Sequence, residues 1–132
     1  MVSHRSSSSI LVVDDHELNL KLLTFVLELE GHDVIGATSL DDAHRAIEQE
    51  PPALVVLDLN LPDGDGLDLA RAIKSERGAG CPVLACTGGA LSEDRERALE
   101  AGCDDYVTKP IDTLDFAQRV AAMLPDRPAA AA

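Results

Sequence analysis

The sequence predicts a doubly wound α/β domain, a parallel five-stranded sheet covered by helices on both faces. Runs of consecutive apolar residues at 10–13, 54–57 and 83–86 lack polar alternation, as strands buried on both faces require. Stretches with helical spacing of apolar residues lie between these runs, so strand and helix alternate along the chain. Gly31, Pro51-Pro52 and Gly102 punctuate the units. Right-handed crossovers then place helices on either side of the sheet.

Ile10-Leu11-Val12-Val13 is the first strand, and the pair Asp14-Asp15 stops it. Leu18, Leu22, Phe25, Val26 and Leu29 mark one apolar face of the first helix, which Gly31 ends. Val34-Ile35-Gly36-Ala37 is a second, weaker strand, and Leu40, Ala43 and Ile47 mark the second helix. Leu54-Val55-Val56-Leu57 is a third buried strand, ending at Asp58. A turn over Pro62 and Gly64 to Gly66 leads to a helix carrying Leu69, Ala72 and Ile73. The fourth strand, from Pro82 to Cys86, ends at Thr87 and is followed by a charged helix from Ser92 to Ala101. Tyr106-Val107 is a short fifth strand ending at Thr108-Lys109-Pro110, and the last helix carries Leu114, Ala117, Ala121 and Leu124. Residues 9–124 thus read as the domain, 1–8 as a flexible serine-containing segment, and 125–132 as a disordered Pro/Ala tail.

The 132 residues fit one domain, and with aromatics at 2% its core must be built from Leu, Val, Ile and Ala. A formal charge of −13 repels phosphate backbones and anionic lipid heads, so neither nucleic acid nor a membrane surface is an expected partner. No apolar run approaches the ~20 residues that span a bilayer, and 1–9 lacks the apolar stretch of a signal peptide, so the expected location is cytoplasmic. Cys81, Cys86 and Cys103 form no CxxC pair and read as small buried hydrophobes. The four histidines show no metal-ligand spacing and read mostly as surface residues.

Chemistry-bearing side chains gather after the strands: Asp14 and Asp15 after the first, Asp58 after the third, Thr87 after the fourth, Lys109 after the fifth. Ligands of open α/β sheets bind outside the carboxyl ends of strands. Each residue alone has an ordinary explanation; Asp15 or His16, for instance, is a natural helix N-cap. Together they place three mutually repelling carboxylates beside a hydroxyl and an ammonium. All-oxygen donors that leave room for waters and a phosphate suit Mg²⁺, with Mn²⁺ as the alternative. A metal-bound carboxylate can attack phosphorus, while Thr87 donates a hydrogen bond and Lys109 neutralises charge.

The segments Leu11 to Asn19, Asp58 to Gly66, Thr87 to Ala90 and Ala101 to Pro110 resemble the receiver domain of two-component response regulators, in that family's order and spacing over about Ser9 to Leu124. The resemblance implies a flavodoxin-like three-layer sandwich with strand order 2-1-3-4-5 and five helices. It implies that Asp58 is the phosphoacceptor and that Asp14, Asp15, Asp58 and the backbone carbonyl of Asn60 hold Mg²⁺. Thr87 and Lys109 would bind the phosphoryl group, Thr87 and Tyr106 would form the switch, and Lys109-Pro110 would be a cis peptide. Gly88 and Gly89 stand where relatives often carry a larger second side chain, which bears on the phosphate lifetime.

The implied protein is a phosphoacceptor rather than an enzyme with a separate substrate, catalysing only its own phosphorylation and dephosphorylation. Its partners would be a sensor histidine kinase or histidine phosphotransfer protein and a downstream protein, met as a monomer or weak dimer. With no output segment after Leu124, a stand-alone receiver is expected. A phosphorylation-independent interaction module, or the receiver part of a hybrid kinase, are the alternatives. A flavodoxin would need a phosphate loop where Asp14-Asp15-His16-Glu17 stands. A haloacid-dehalogenase phosphatase would need Asp at Asn60, Thr at Pro62 and a longer chain.

Overall fold

The computed structural model describes residues 9–61, 63–77, 81–88 and 92–124. The flexible ends expected at 1–8 and 125–132, and the turn residue Pro62, lie outside the described residues. In chain order the elements are β1 (Ser9–Val13), α1 (Glu17–Leu29), β2 (Asp33–Ala37), α2 (Leu40–Gln49), β3 (Leu54–Asp58), β4 (Asn60–Leu61), β5 (Gly64–Asp65), α3 (Gly66–Arg77), β6 (Val83–Thr87), α4 (Ser92–Glu100), β7 (Asp105–Thr108) and α5 (Thr113–Met123). The main sheet has the order β2-β1-β3-β6-β7, and each of its pairs is parallel. With β6 and β7 as the fourth and fifth main strands, this is the expected 2-1-3-4-5. The short antiparallel pair β4–β5, with Asn60 opposite Asp65, was read from the sequence only as a turn.

Alternate residues of each central strand feed two separate cores. Leu11, Val13, Val55, Leu57, Val83 and Ala85 pack with Ala43 and Ile47 of α2, Leu69 and Ile73 of α3, and Ala98 of α4. Ile10, Val12, Val56, Leu84 and Cys86 pack with Leu23 and Leu27 of α1 and Phe116 and Val120 of α5. Helices therefore cover both faces, and each fully buried large side chain contributes about 1.5–3 kcal/mol. All three cysteines are free and buried.

Two helices turn a different face inward from the one the sequence suggested. Leu18, Leu22, Phe25 and Leu29 of α1 are exposed, while Leu23 and Leu27 are buried and Leu20 and Val26 pack beside them. The helix ELNLKLLTFVLEL is apolar on most sides, so spacing alone could not select the inner face. Close approach to β2 helps to select it: a Cβ on Gly36 would stand 3.3 Å from Leu20 Cδ2. In α5, Leu114 is exposed and Phe116 and Val120 are buried. Asp112 caps that helix, accepting from the N–H groups of Leu114 and Asp115 at 3.0 and 3.1 Å.

Candidate functional site

Asp14 is the first residue beyond β1, and its N–H continues the ladder to the carbonyl of Ala37 at 3.0 Å. This drives a carboxylate into a position only 1% exposed. Its Oδ1 accepts from the N–H of His16 at 2.9 Å, and its Oδ2 accepts from the Asn19 amide. His16 occupies the N-cap position of α1 without a side-chain cap bond. Asp58 ends β3 and is equally buried; its Oδ1 accepts from the N–H of Asn60 at 3.0 Å. Lys109 follows β7, where its N–H donates to the carbonyl of Thr87 at 2.8 Å. Its ammonium donates to Asp58 Oδ2 at 3.2 Å and stands 3.7 Å from Asp14 Oδ2. The Lys109–Pro110 peptide is cis.

Burial pushes the Asp58 carboxyl above the ordinary carboxylate value, only partly opposed by the Asn60 N–H and the Lys109 ammonium. Burial pulls Lys109 down, but the Asp58 and Asp14 carboxylates outweigh it and raise the ammonium overall. Burial lifts the Cys86 thiol, opposite Asp58 in the sheet, to about 12, so it is a packing residue with no thiolate chemistry at neutral pH.

Asp14, Asp15, His16 and Asp58 each offer one ligand atom, all within 4.8 Å of one another. Asp15 Oδ1 is buried and has no hydrogen-bond partner among the described residues. A buried, unbonded carboxylate oxygen among further carboxylates fits a divalent cation, because the ion would satisfy it and relieve the repulsion. Asn60 is held beside the cluster by its own N–H bond to Asp58. Thr87 is 3% exposed and lines a cleft together with Asp15, Leu59, Asn60, Asp65 and Arg97. Tyr106 is half-buried and lies one strand away, its ring capped by the Arg95 guanidinium at 5.5 Å. Gly88 has open space where a Cβ would be; Gly89 lies outside the described residues.

The fold thus brings together Asp14, Asp15, Asp58, Asn60, Thr87 and Lys109, and sets Tyr106 on the flank. Sequence reading missed four contributors. His16, exposed as the surface reading of the histidines expects, has two carboxylates beside its ring, whereas His32 is buried. Asn19, one helical turn beyond His16, holds Asp14. Arg97 enters the cleft and lies 3.6 Å from Asp65. Gly66 is required because a Cβ there would come within 2.7 Å of the Asp58 carbonyl oxygen. The first two lie in the Asp14 to Asn19 segment and were within reach of a closer reading; the others depend on tertiary approach.

The sequence model of the response regulator receiver domain matches residues 10–121. The chain belongs to that family. Among solved structures, a CheY-like receiver domain protein from Methanospirillum hungatei JF-1 superposes with a TM-score of 0.83 at 30% identity, over 90% of this chain and 94% of that one. The BeF3-activated DrrB receiver domain gives 0.83 at 33%, over 89% and 97%. Among curated relatives, the polar-differentiation response regulator DivK of Brucella ovis is 32% identical over 121 residues, which is 91% of this receiver and 98% of DivK. The alkaline phosphatase synthesis transcriptional regulatory protein PhoP of Bacillus subtilis is 38% identical over 118 residues, 89% of this receiver and 49% of PhoP. The receiver therefore spans about half the length of that transcriptional regulator. None of its described helices is long and apolar enough to cross a membrane.

Proposed function

We propose that this receiver takes a phosphoryl group onto Asp58 from a sensor histidine kinase or a histidine phosphotransfer protein, and that the modified domain docks a downstream protein through α4, β7 and α5. The observation that carries the reading is the Lys109 ammonium, 3.2 Å from Asp58 Oδ2 at the centre of the carboxylate cluster. Asp58 Oδ attacks phosphorus, the bond from phosphorus to the donor imidazole nitrogen breaks, and the electron pair leaves with the imidazole. The product is an acyl phosphate on Asp58. Lys109 neutralises one phosphoryl oxygen and the Thr87 hydroxyl donates to another. Asp14, Asp15, Asp58 and the Asn60 carbonyl would hold Mg²⁺, or Mn²⁺, which supplies charge neutralisation at the phosphoryl oxygens.

The new group adds about −1.5 to −2 charges at the end of β3. Drawing Thr87 toward it changes the space beside β7, where the Tyr106 ring lies under Arg95. Arg119 of α5 is tied to Asp105 of β7 at 2.8 Å, so the same face is one connected charged surface. Because the switch needs only ~1–3 kcal/mol of coupling, a minority of unmodified molecules already presents the docking form.

Phosphodonor and Mg²⁺ should give the wild type an acid-stable, base-labile label that Asp58→Asn lacks. Undiminished labelling of Asp58→Asn would refute the acceptor. With beryllofluoride, NMR shifts should extend to Tyr106 and α4. Shifts confined to the carboxylate cluster would refute the switch.

A further inference from the structure

His16 stands at the turn from β1 into α1, where an N-cap side chain normally bonds the first backbone N–H groups. This one does not. Its backbone N–H is held by Asp14 Oδ1 at 2.9 Å, and its ring is turned toward the carboxylates. Nδ1 lies 3.5 Å from Asp15 Oδ1 and 3.7 Å from Asp14 Oδ1. Both separations exceed an N–H···O hydrogen bond. They are close to the spacing of adjacent donors around one ion, since two ligands at 2.0–2.1 Å and a right angle stand about 3 Å apart. The nearer of the two oxygens, Asp15 Oδ1, is also the buried one without a hydrogen-bond partner.

We infer that His16 Nδ1 is a further ligand of the cation held by Asp14, Asp15 and Asp58, and that it biases this site toward borderline ions such as Co²⁺ relative to Mg²⁺. The inference rests on the metal site of the proposed function. Imidazole nitrogen bonds borderline first-row ions strongly and Mg²⁺ weakly, whereas carboxylates serve both. Adding one nitrogen to an oxygen set therefore changes selectivity more than it changes affinity for Mg²⁺. The ring is 72% exposed, so it swings the last fraction of an ångström without disturbing the core.

The competing account makes the ring a protonated counter-charge for the two aspartates, and it predicts the opposite sign. A resident cationic ring competes with every metal, so its removal would tighten Mg²⁺ and Co²⁺ alike. Isothermal titration of the full chain with Mg²⁺ and with Co²⁺ should be compared for wild type, His16→Ala and His16→Phe. Both variants are expected to weaken Co²⁺ roughly tenfold while changing Mg²⁺ by less than about twofold. Diamagnetic Zn²⁺ should shift the Nδ1 nitrogen resonance of His16 in the wild type. Equal losses for the two ions, unchanged binding, or tighter binding in the variants would overturn the role of His16. A wild type that binds neither ion would instead remove the metal site itself, and the inference with it.

Discussion

Lys109 Nζ donates to Asp58 Oδ2 across 3.2 Å, joining the residue after β7 to the last residue of β3. Burial raises Asp58 above its ordinary 3.8, so the proton-bound form is the one the fold favours. The corresponding stability is fully present below 3.8 and is lost as pH rises through the raised value. At neutral pH, Asp58→Asn should therefore melt higher than wild type without metal, and the gap should close as pH falls toward 3.8. Lys109 is raised above 10.5, so its stabilisation is intact below 10.5 and lost above it. Wild type should weaken in that alkaline range more steeply than Asp58→Asn. Calorimetric melting across pH checks both, and a wild type that melts higher at neutral pH would contradict the sign.

Gly66 starts α3 against the backbone of the candidate phosphoacceptor. An alanine Cβ would stand 2.7 Å from the Asp58 carbonyl oxygen and 3.1 Å from Leu59 Cα. Backbone cannot rotate away as a flexible side chain can, so Gly66→Ala should cost about 1–3 kcal/mol in urea unfolding. Labelling from a small-molecule phosphodonor should also slow, because the carboxylate moves with its backbone. Wild-type stability and labelling in Gly66→Ala would show that the loop yields freely.

The inner face of α1 makes a contrast between neighbours. Leu27 is fully buried, and Phe25, two residues earlier, is 59% exposed. Leu27→Ala should cost about 2–5 kcal/mol. Phe25→Ser should change stability by no more than about 0.5 kcal/mol. Urea denaturation of the two variants distinguishes this orientation of α1 from the one its apolar spacing suggests; a larger loss from Phe25→Ser would reverse the assignment.

Much of the site was legible because chain chemistry and strand ends coincide. Strands such as Leu54–Asp58, buried on both faces, carry no polar residue before their last position. A polar residue directly after such a run is therefore at the carboxyl edge, whatever the helices do. In this way Asp14, Asp15, Asp58, Thr87 and Lys109 could be placed together before any distance was known. β2 and β7 are the weaker strands: their partly exposed edge positions explain their weaker patterns.

The sequence by itself determined the α/β alternation, the parallel sheet and the strand ends that carry the acidic cluster, because these follow from local periodicity and from where apolar runs stop. Only the tertiary structure decided the inner faces of α1 and α5: apolar residues surround α1, whose packing beside β2 selects the rotation, and in α5 Phe116 and Val120 are the side chains turned to the core. It also decided that Arg97 enters the cleft beside Thr87, and that Gly66 leaves room for the Asp58 backbone. Those relations depend on how closely separate elements approach, and that distance is set by the packed cores rather than by any local spacing in the chain.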